Sequence, residues 1–282
     1  MRVFFSRFFL LLLCLGSFGL GNARIAFADE LTFTEAFFAR QEQYSGMVEV
    51  PGKGPMRYYA QNDPLWGALA YENPNTKGRR PFRDGGCGPT ACAMAIANLV
   101  PAAELSRILA DARQDFSLCP CSLNSAKCNQ HHARYLLTSQ RDYLRFLPLI
   151  FGDYAAGNNL ENNISRTEAQ GTGSGFMHCI AKAYGIQLTA TNDYAEALRA
   201  LRGGDTVVAH ASRGGAFTNT GHYVLLAHVD EERLYILDPL CREVYKTNQS
   251  SKIEILQPGL VALRHENFQA ASIGMFMIFH RE

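Results

Sequence analysis

The stretch DGGCGPTACAMAIANL, residues 84–99, decides how the rest of the chain is interpreted. It joins a glycine-rich turn to an apolar segment with the composition of a buried helix. Pro89 suits the first position of a helix, where its missing N–H costs no hydrogen bond, and Pro101 ends the segment. We therefore predict a helix over Pro89–Val100, with Cys87 at the boundary between the turn and the helix.

Cys87 lies where a thiol can become a nucleophile. The reactive form of cysteine is the thiolate, and the unpaired N–H groups at the start of a helix lower the pKa of a thiol. Glycines at Gly85, Gly86 and Gly88 leave the sulfur uncovered by neighbouring side chains. A loop cysteine that only packs is the alternative here, so a catalytic interpretation needs a base elsewhere in the chain.

Two later segments supply a base and a group that orients it. His222 follows Gly221 and opens an apolar strand, Tyr223–Val229, from which its imidazole can face a cleft. Asp238 closes the next strand, Leu234–Leu237, where its carboxylate can accept a proton from the imidazole and fix its tautomer. Each residue also has a plainer explanation, as a histidine at a strand end and as a turn-forming aspartate before proline.

The spacing connects these residues, and a fourth completes the set. His222 follows Cys87 by 135 residues, and Asp238 follows it by 151. Papain-type cysteine proteases have their histidine and third residue about 130–150 residues after the cysteine. Attack of a thiolate on a carbonyl also creates an oxyanion that needs hydrogen-bond donors. The side-chain amide of Gln61 and the backbone N–H of Cys87 can supply them.

The chain resembles the bacterial papain-fold cysteine peptidases related to the bacteriocin-processing peptidase domains, the peptidase C39-like family, over about residues 56–239. The segments that carry the resemblance are QNDPLW (61–66), GCGPT (86–90), GTGSG (171–175), GGAFT (214–218), GHYV (221–224) and LDP (237–239). The resemblance implies Cys87 as the nucleophile and His222 as the base. It also implies Asp238 as the residue that orients the base, and Gln61 at the oxyanion hole.

The fold implied by the resemblance is a papain-like α+β fold, with the helix that carries the nucleophile packed on a C-terminal antiparallel sheet. The order of the predicted elements favours the same class, because helices come first and strands later. The predicted elements after residue 170 are helices over Gly175–Tyr184 and Tyr194–Arg202, and strands over Thr206–His210, Tyr223–Val229, Leu234–Leu237 and Ile273–His280.

The first 28 residues have the features of a secretory signal peptide. Arg2 and Arg7 precede an apolar run, Phe8–Leu20, and small residues at Ala26–Ala28 flank a cleavable bond. The apolar run is short for a membrane-spanning helix. We therefore expect a mature chain that starts near Asp29, has no stable membrane span, and is secreted, periplasmic or bound at the cell surface.

The charge of the mature chain argues against a nucleic-acid partner. The full chain has 27 basic and 26 acidic side chains, and loss of three arginines with the signal peptide leaves 24 against 26, a net charge of −2. Such a chain has no basic field for binding nucleic acid. The predicted organisation is a signal peptide at 1–28, an N-terminal helix and linker at 29–55, and a peptidase domain at 56–282 with a cysteine-rich insertion at about 115–170.

The insertion contains a dense group of sulfur and imidazole side chains: Cys119, Cys121, Cys128 and His131. Such side chains at short spacing can bind zinc. However, Cys119 and Cys121 lack the usual two-residue spacing of a zinc site, and an exported protein favours disulfides. Disulfides are the favoured interpretation, and a zinc cluster and unpaired thiols stay open. Two cysteines outside the insertion could pair with it, Cys179 and Cys241.

Taken together, the sequence predicts an exported cysteine peptidase that cleaves peptide or isopeptide bonds through a Cys-His-Asp triad. This chemistry requires no metal or organic cofactor. The expected partner is a peptide or protein substrate, with cell-wall peptides as one class. The alternatives are an amidase or transpeptidase on the same fold, and a catalytically inactive module that only binds peptides.

Overall fold

The structure is a computed structural model that describes residues 44–64, 66–68, 71, 81–105, 140–157, 166–167 and 171–281. These residues all belong to one compact unit, 44–282. The predicted signal peptide, the predicted N-terminal helix and the cysteine cluster of the insertion lie outside the described residues.

The described strands are β1 (Gly46–Val50), β2 (Gly54–Tyr58), β3 (Arg166–Thr167), β4 (Gly171–Thr172), β5 (Leu188–Thr191), β6 (Thr206–Ala211), β7 (His222–Val229), β8 (Arg233–Leu237), β9 (Ile253–Gln257), β10 (Leu260–Arg264) and β11 (Ile273–Phe279). The helices are α1 (Phe82–Gly85), α2 (Cys87–Leu99), α3 (Gln140–Gly157), α4 (Gly175–Ala183) and α5 (Tyr194–Gly203). Short 3-10 segments lie at Ser250–Lys252 and His265–Ala271.

A seven-stranded sheet forms the centre of the unit. Its order is β5-β11-β6-β7-β8-β10-β9, and every neighbouring pair is antiparallel. Two separate hairpins, β1 with β2 and β3 with β4, lie outside this sheet. The predicted strands of the C-terminal half correspond to β6, β7, β8 and β11, each within one residue at either end.

Helices pack on both faces of the sheet because its strands alternate between two apolar faces. Val208 and Leu225 point into a core shared with α2. Ala209 and Val224, their neighbours in the chain, point into a second core shared with α5. The predicted α+β class, with the helix that carries Cys87 packed on an antiparallel sheet, is confirmed.

Helix α2 is buried on every side rather than on one face. All residues from Cys87 to Ile96 are buried, because the helix lies between β6 and β7 on one side and α3 on the other. It begins at Cys87, two residues earlier than predicted, and Pro89 is still tolerated because the first turn needs no N–H acceptor. Val100 is extended, as expected before Pro101.

The hairpin of β1 and β2 leads the chain into the region around Cys87. Its turn contains Gly52, whose φ is +74°, and a Cβ there would lie 2.6 Å from Nε2 of His228. Asn98, near the end of α2, accepts a hydrogen bond from the Arg57 N–H at 2.7 Å and donates to the Arg57 carbonyl at 2.8 Å. The end of β2 is thereby fixed to α2, just before Gln61.

Candidate active site

Cys87 is the first residue of α2 and follows a turn that only a glycine fits. A Cβ at Gly86 would lie 2.4 Å from a ring carbon of Phe82. Cys87 therefore sits among the unpaired N–H groups at the start of α2, whose partial positive charge favours a thiolate. Its side chain is buried in the core that α2 shares with the sheet.

His222 is the first residue of β7, and it pairs with Ala211 at the end of β6. Its Nε2 lies 2.6 Å from Oδ1 of Asp238, which follows β8. The Cys87 thiol interacts with the same imidazole, and each group shifts the pKa of the other. Because Asp238 takes Nε2, Nδ1 is the ring nitrogen left for Cys87. The structure thus brings Cys87, His222 and Asp238 together in one chain of contacts.

The pKa values of the thiol and the imidazole shift in opposite directions. Burial raises the pKa of the Cys87 thiol, but the His222 ring and the backbone N–H groups of Tyr223 and Gly88 outweigh burial, so the pKa lies below its ordinary 9.0. Burial lowers the pKa of His222, but the charges and hydrogen bonds of Asp238 and Cys87 raise it from 6.5 to about 9. These shifts favour a thiolate–imidazolium pair.

Asp238 is a fully buried carboxylate held by four donors. Its Oδ1 accepts from Nε2 of His222 at 2.6 Å and from the Leu240 N–H at 2.8 Å. Its Oδ2 accepts from the Tyr245 hydroxyl at 2.6 Å and from Nη2 of Arg242 at 2.9 Å. Burial raises the pKa of this carboxyl, but His222 and Arg242 outweigh it and hold the pKa well below its usual range.

Gln61 lies between the two halves of the site. Its N–H donates to the carbonyl of Pro239, directly after Asp238, at 2.7 Å. Its side-chain Nε2 donates to the carbonyl of Arg83, four residues before Cys87. An amide nitrogen carries two hydrogens, so one remains for an oxyanion. The buried position of Gln61 therefore suits a donor beside the start of α2.

Asn62 fixes the Gln61 segment to the loop that follows Asp238. Its side-chain nitrogen donates to the Cys241 carbonyl at 3.0 Å, and its side-chain oxygen accepts from the Cys241 N–H at 3.0 Å. The Tyr58 hydroxyl donates to the Asp238 carbonyl at 2.7 Å. Both contacts join parts of the chain far apart in sequence.

Sequence reasoning did not single out four residues that hold the site together: Tyr58, Asn62, Arg242 and Tyr245. Asn62 had one available signal, because it follows Gln61 in the segment that resembles the family. No local pattern marks the other three as partners of Asp238, although Arg242 and Tyr245 lie only four and seven residues after it.

The remaining cysteines have varied environments. Cys92 and Cys241 carry free thiols, and burial raises the pKa of both. Within the described ranges, no three His, Cys, Asp or Glu side chains form a group that could bind a metal ion. The predicted disulfide or zinc cluster of Cys119, Cys121, Cys128 and His131 lies outside those ranges.

Comparison with known families decides what kind of protein this is. The model of the Peptidase_C39 like family matches residues 55–257. The chain belongs to this family. The matched range begins in β2 and ends with β9, so it includes Gln61, Cys87, His222 and Asp238. The C39-like resemblance and the papain-like α+β fold predicted from the sequence are confirmed.

A solved structure of a candidate C39-like peptidase from Bacillus anthracis aligns with 84% of this chain and 98% of its own chain, at 14% identity and a TM-score of 0.36. Individually curated proteins give no match to this sequence. Among the described helices, none has both the length and the apolar character needed to span a bilayer.

Proposed function

We propose that this C39-like family member is an exported thiol peptidase in which Cys87 is the nucleophile. The single observation that carries the proposal is the buried contact between Cys87 and the His222–Asp238 pair, whose Nε2–Oδ1 distance is 2.6 Å. The opposite pKa shifts of the thiol and the imidazole support the same assignment. A thiol that merely packs in a core needs no charged partner.

The first half of the reaction forms an acyl-enzyme. The Cys87 thiolate attacks the carbonyl carbon of a peptide or isopeptide bond, and the resulting oxyanion accepts hydrogen bonds from the Gln61 amide and the Cys87 N–H. The C–N bond then breaks, and the His222 imidazolium gives its proton to the leaving amine. Asp238 holds the imidazole in place throughout.

The second half releases the product. Water attacks the thioester carbonyl while His222 takes a proton from the water. The C–S bond breaks, and the Cys87 thiolate is restored together with the free carboxylic acid. When an amine replaces water in this step, the same site acts as a transpeptidase.

A pair of matched variants tests the proposal. Cys87→Ala should abolish cleavage of a broad synthetic peptide library, measured by mass spectrometry, with a loss of at least about 10³-fold because the nucleophile is gone. Cys92→Ala removes a thiol five residues later in the same helix and should leave cleavage unchanged.

Three results would argue against this proposal. Cleavage by Cys87→Ala at the wild-type rate would remove Cys87 from the chemistry. Peptide retention by the wild-type protein without cleavage would favour the binding-module alternative. Products joined to added glycinamide in preference to water would favour the transpeptidase.

Export is the second part of the proposal and is supported by the charged, apolar and small-residue segments of the first 28 residues. Sequencing the N-terminus of protein recovered outside the cytoplasm should give Asp29 as the first residue. An intact Met1 there would contradict removal of the segment.

A further inference from the structure

Two side chains of the loop that follows Asp238 hold Oδ2, the carboxylate oxygen that does not contact His222. Oδ1 of Asp238 faces the imidazole, whereas Oδ2 accepts from Arg242 and Tyr245. The guanidinium of Arg242 also lies 3.9 Å from the centre of the Tyr245 ring, a distance that gives a favourable cation–π contact. Arg242 and Tyr245 therefore stabilise each other as well as Oδ2.

The same loop also holds the segment that leads into His222. Nη2 of Arg242 donates to the Phe217 carbonyl at 2.9 Å, and the Thr247 hydroxyl donates to the Ala216 carbonyl at 2.8 Å. The Phe217 ring is buried, with its centre 6.3 Å from that of His222. One nitrogen of Arg242 thus connects the Asp238 carboxylate to the backbone that delivers the imidazole.

We propose that Arg242 and Tyr245 are positioning residues that turn Oδ1 of Asp238 toward His222 and so fix the imidazole against Cys87. This inference rests on the proposed function and names residues beyond its triad and oxyanion donor. A carboxylate free to rotate could offer either oxygen to the ring, and two donors on Oδ2 remove that freedom.

Several titratable side chains face this carboxylate from different elements: Tyr58 at the end of β2, His222 in β7, and Cys241, Arg242 and Tyr245 in the loop after β8. His222 and Arg242 are the two cations among them. Removing Arg242 takes away one of the two donors to Oδ2 and also removes a positive charge from the site. Each effect weakens the imidazolium contact or the positive field at Cys87, so each raises the pKa of the thiol.

The test follows the rate at which iodoacetamide alkylates Cys87 as a function of pH, with the Cys87 peptide quantified by mass spectrometry. Arg242→Met should raise the midpoint of this pH profile by about one pH unit. At a pH below the midpoint, alkylation of Cys87 should then be about tenfold slower. Arg242→Lys keeps a positive charge and can still donate to Oδ2 of Asp238 and to the Phe217 carbonyl. Its alkylation rate should stay within about threefold of the wild-type rate.

Two further variants separate positioning from general damage. Arg233→Met removes a different arginine, which pairs with Glu254 at 3.0 Å, and should leave the midpoint unchanged. Tyr245→Phe keeps the ring and removes only its donor to Oδ2, so it should slow alkylation about threefold even if Arg242→Met fails to fold.

A double-mutant cycle decides whether Arg242 acts through Asp238. In an Asp238→Asn background, Arg242→Met should slow alkylation by less than about twofold further. An unchanged tenfold effect in that background, or no shift in the single variants, overturns the inference while leaving the proposed function intact. If wild-type Cys87 has no lowered midpoint at all, the proposed function fails first.

Discussion

Helix α2 carries two cysteines about one and a half turns apart, and the pKa values of their thiols shift in opposite directions. Cys87 and Cys92 are both buried, and burial raises the pKa of each thiol. For Cys92 burial is the only cause, and its pKa lies well above the ordinary value. For Cys87 the imidazole of His222 and two backbone N–H groups reverse the effect. Burial alone favours the protonated, unreactive thiol, whereas the partners at the start of the helix favour the thiolate.

Loss of His222 should produce the largest change in this comparison. His222→Ala leaves Cys87 buried without its cation, so its environment becomes like that of Cys92. We expect peptide cleavage to fall about 10³-fold or more, and the alkylation rates of the two thiols at neutral pH to converge. The rates are read from the two cysteine peptides of one sample.

Asp238→Glu serves as the control for that variant, because it keeps the charge and changes only the reach of the carboxylate. It should retain some preference for Cys87 over Cys92. If His222→Ala leaves Cys87 as reactive as in wild type, the start of α2 alone activates the thiol and the triad assignment is wrong.

The sequence predicted the parts of this comparison that depend on local pattern. The helix around Cys87, the strand opened by His222 and the strand closed by Asp238 were all within two residues of the observed elements. The order and spacing of the motifs then predicted that Cys87, His222 and Asp238 lie close together in the fold. The contact itself depends on β7 lying between β6 and β8, which no single motif specifies.

The parts that the sequence did not predict lack a local pattern that would identify them. Arg242 and Tyr245 lie in a loop without regular structure, and their hydrogen bonds to Oδ2 exist only because that loop folds back on Asp238. Strand β9 was not predicted, because four of its five residues are exposed and the strand therefore has no alternation of buried and exposed positions. Helix α3 continues through Pro148, which a sequence rule counts as a break.

A smaller effect should follow from loss of Gln61, the proposed oxyanion donor. Gln61→Ala removes one donor to the oxyanion but leaves the Cys87–His222 contact in place. We expect kcat for peptide cleavage to fall about 10²-fold, while alkylation of Cys87 by iodoacetamide stays at the wild-type rate, because alkylation forms no oxyanion.

Gln61→Glu is the matched variant, since it keeps the size of the side chain and replaces the donor with an acceptor. It should be at least as damaging to cleavage as alanine. A parallel loss of cleavage and alkylation in Gln61→Ala would show that Gln61 supports the thiolate rather than the oxyanion.

The pH dependence of cleavage and of thiol alkylation gives the most detailed test. On the acidic and the alkaline side of the pH profile, kcat/KM should change about tenfold per pH unit. The Cys87 thiol has a lowered pKa, so cleavage should fall as the pH drops through that value and the thiolate is protonated. The His222 pKa is raised to about 9, so cleavage should fall again above about pH 9, where the leaving amine loses its proton donor. The measured quantity is kcat/KM across the range.

Cys92 supplies the internal reference for that profile. Its thiol stays protonated far above the acidic limb, so its alkylation should rise only at strongly alkaline pH, whereas that of Cys87 should rise on the same limb as kcat/KM. Because thiol and imidazole titrate as a coupled pair, Asp238→Asn should bring the alkaline limb to lower pH by weakening the imidazolium. An alkaline limb that does not move in that variant would mean that a group other than His222 donates the proton to the leaving amine.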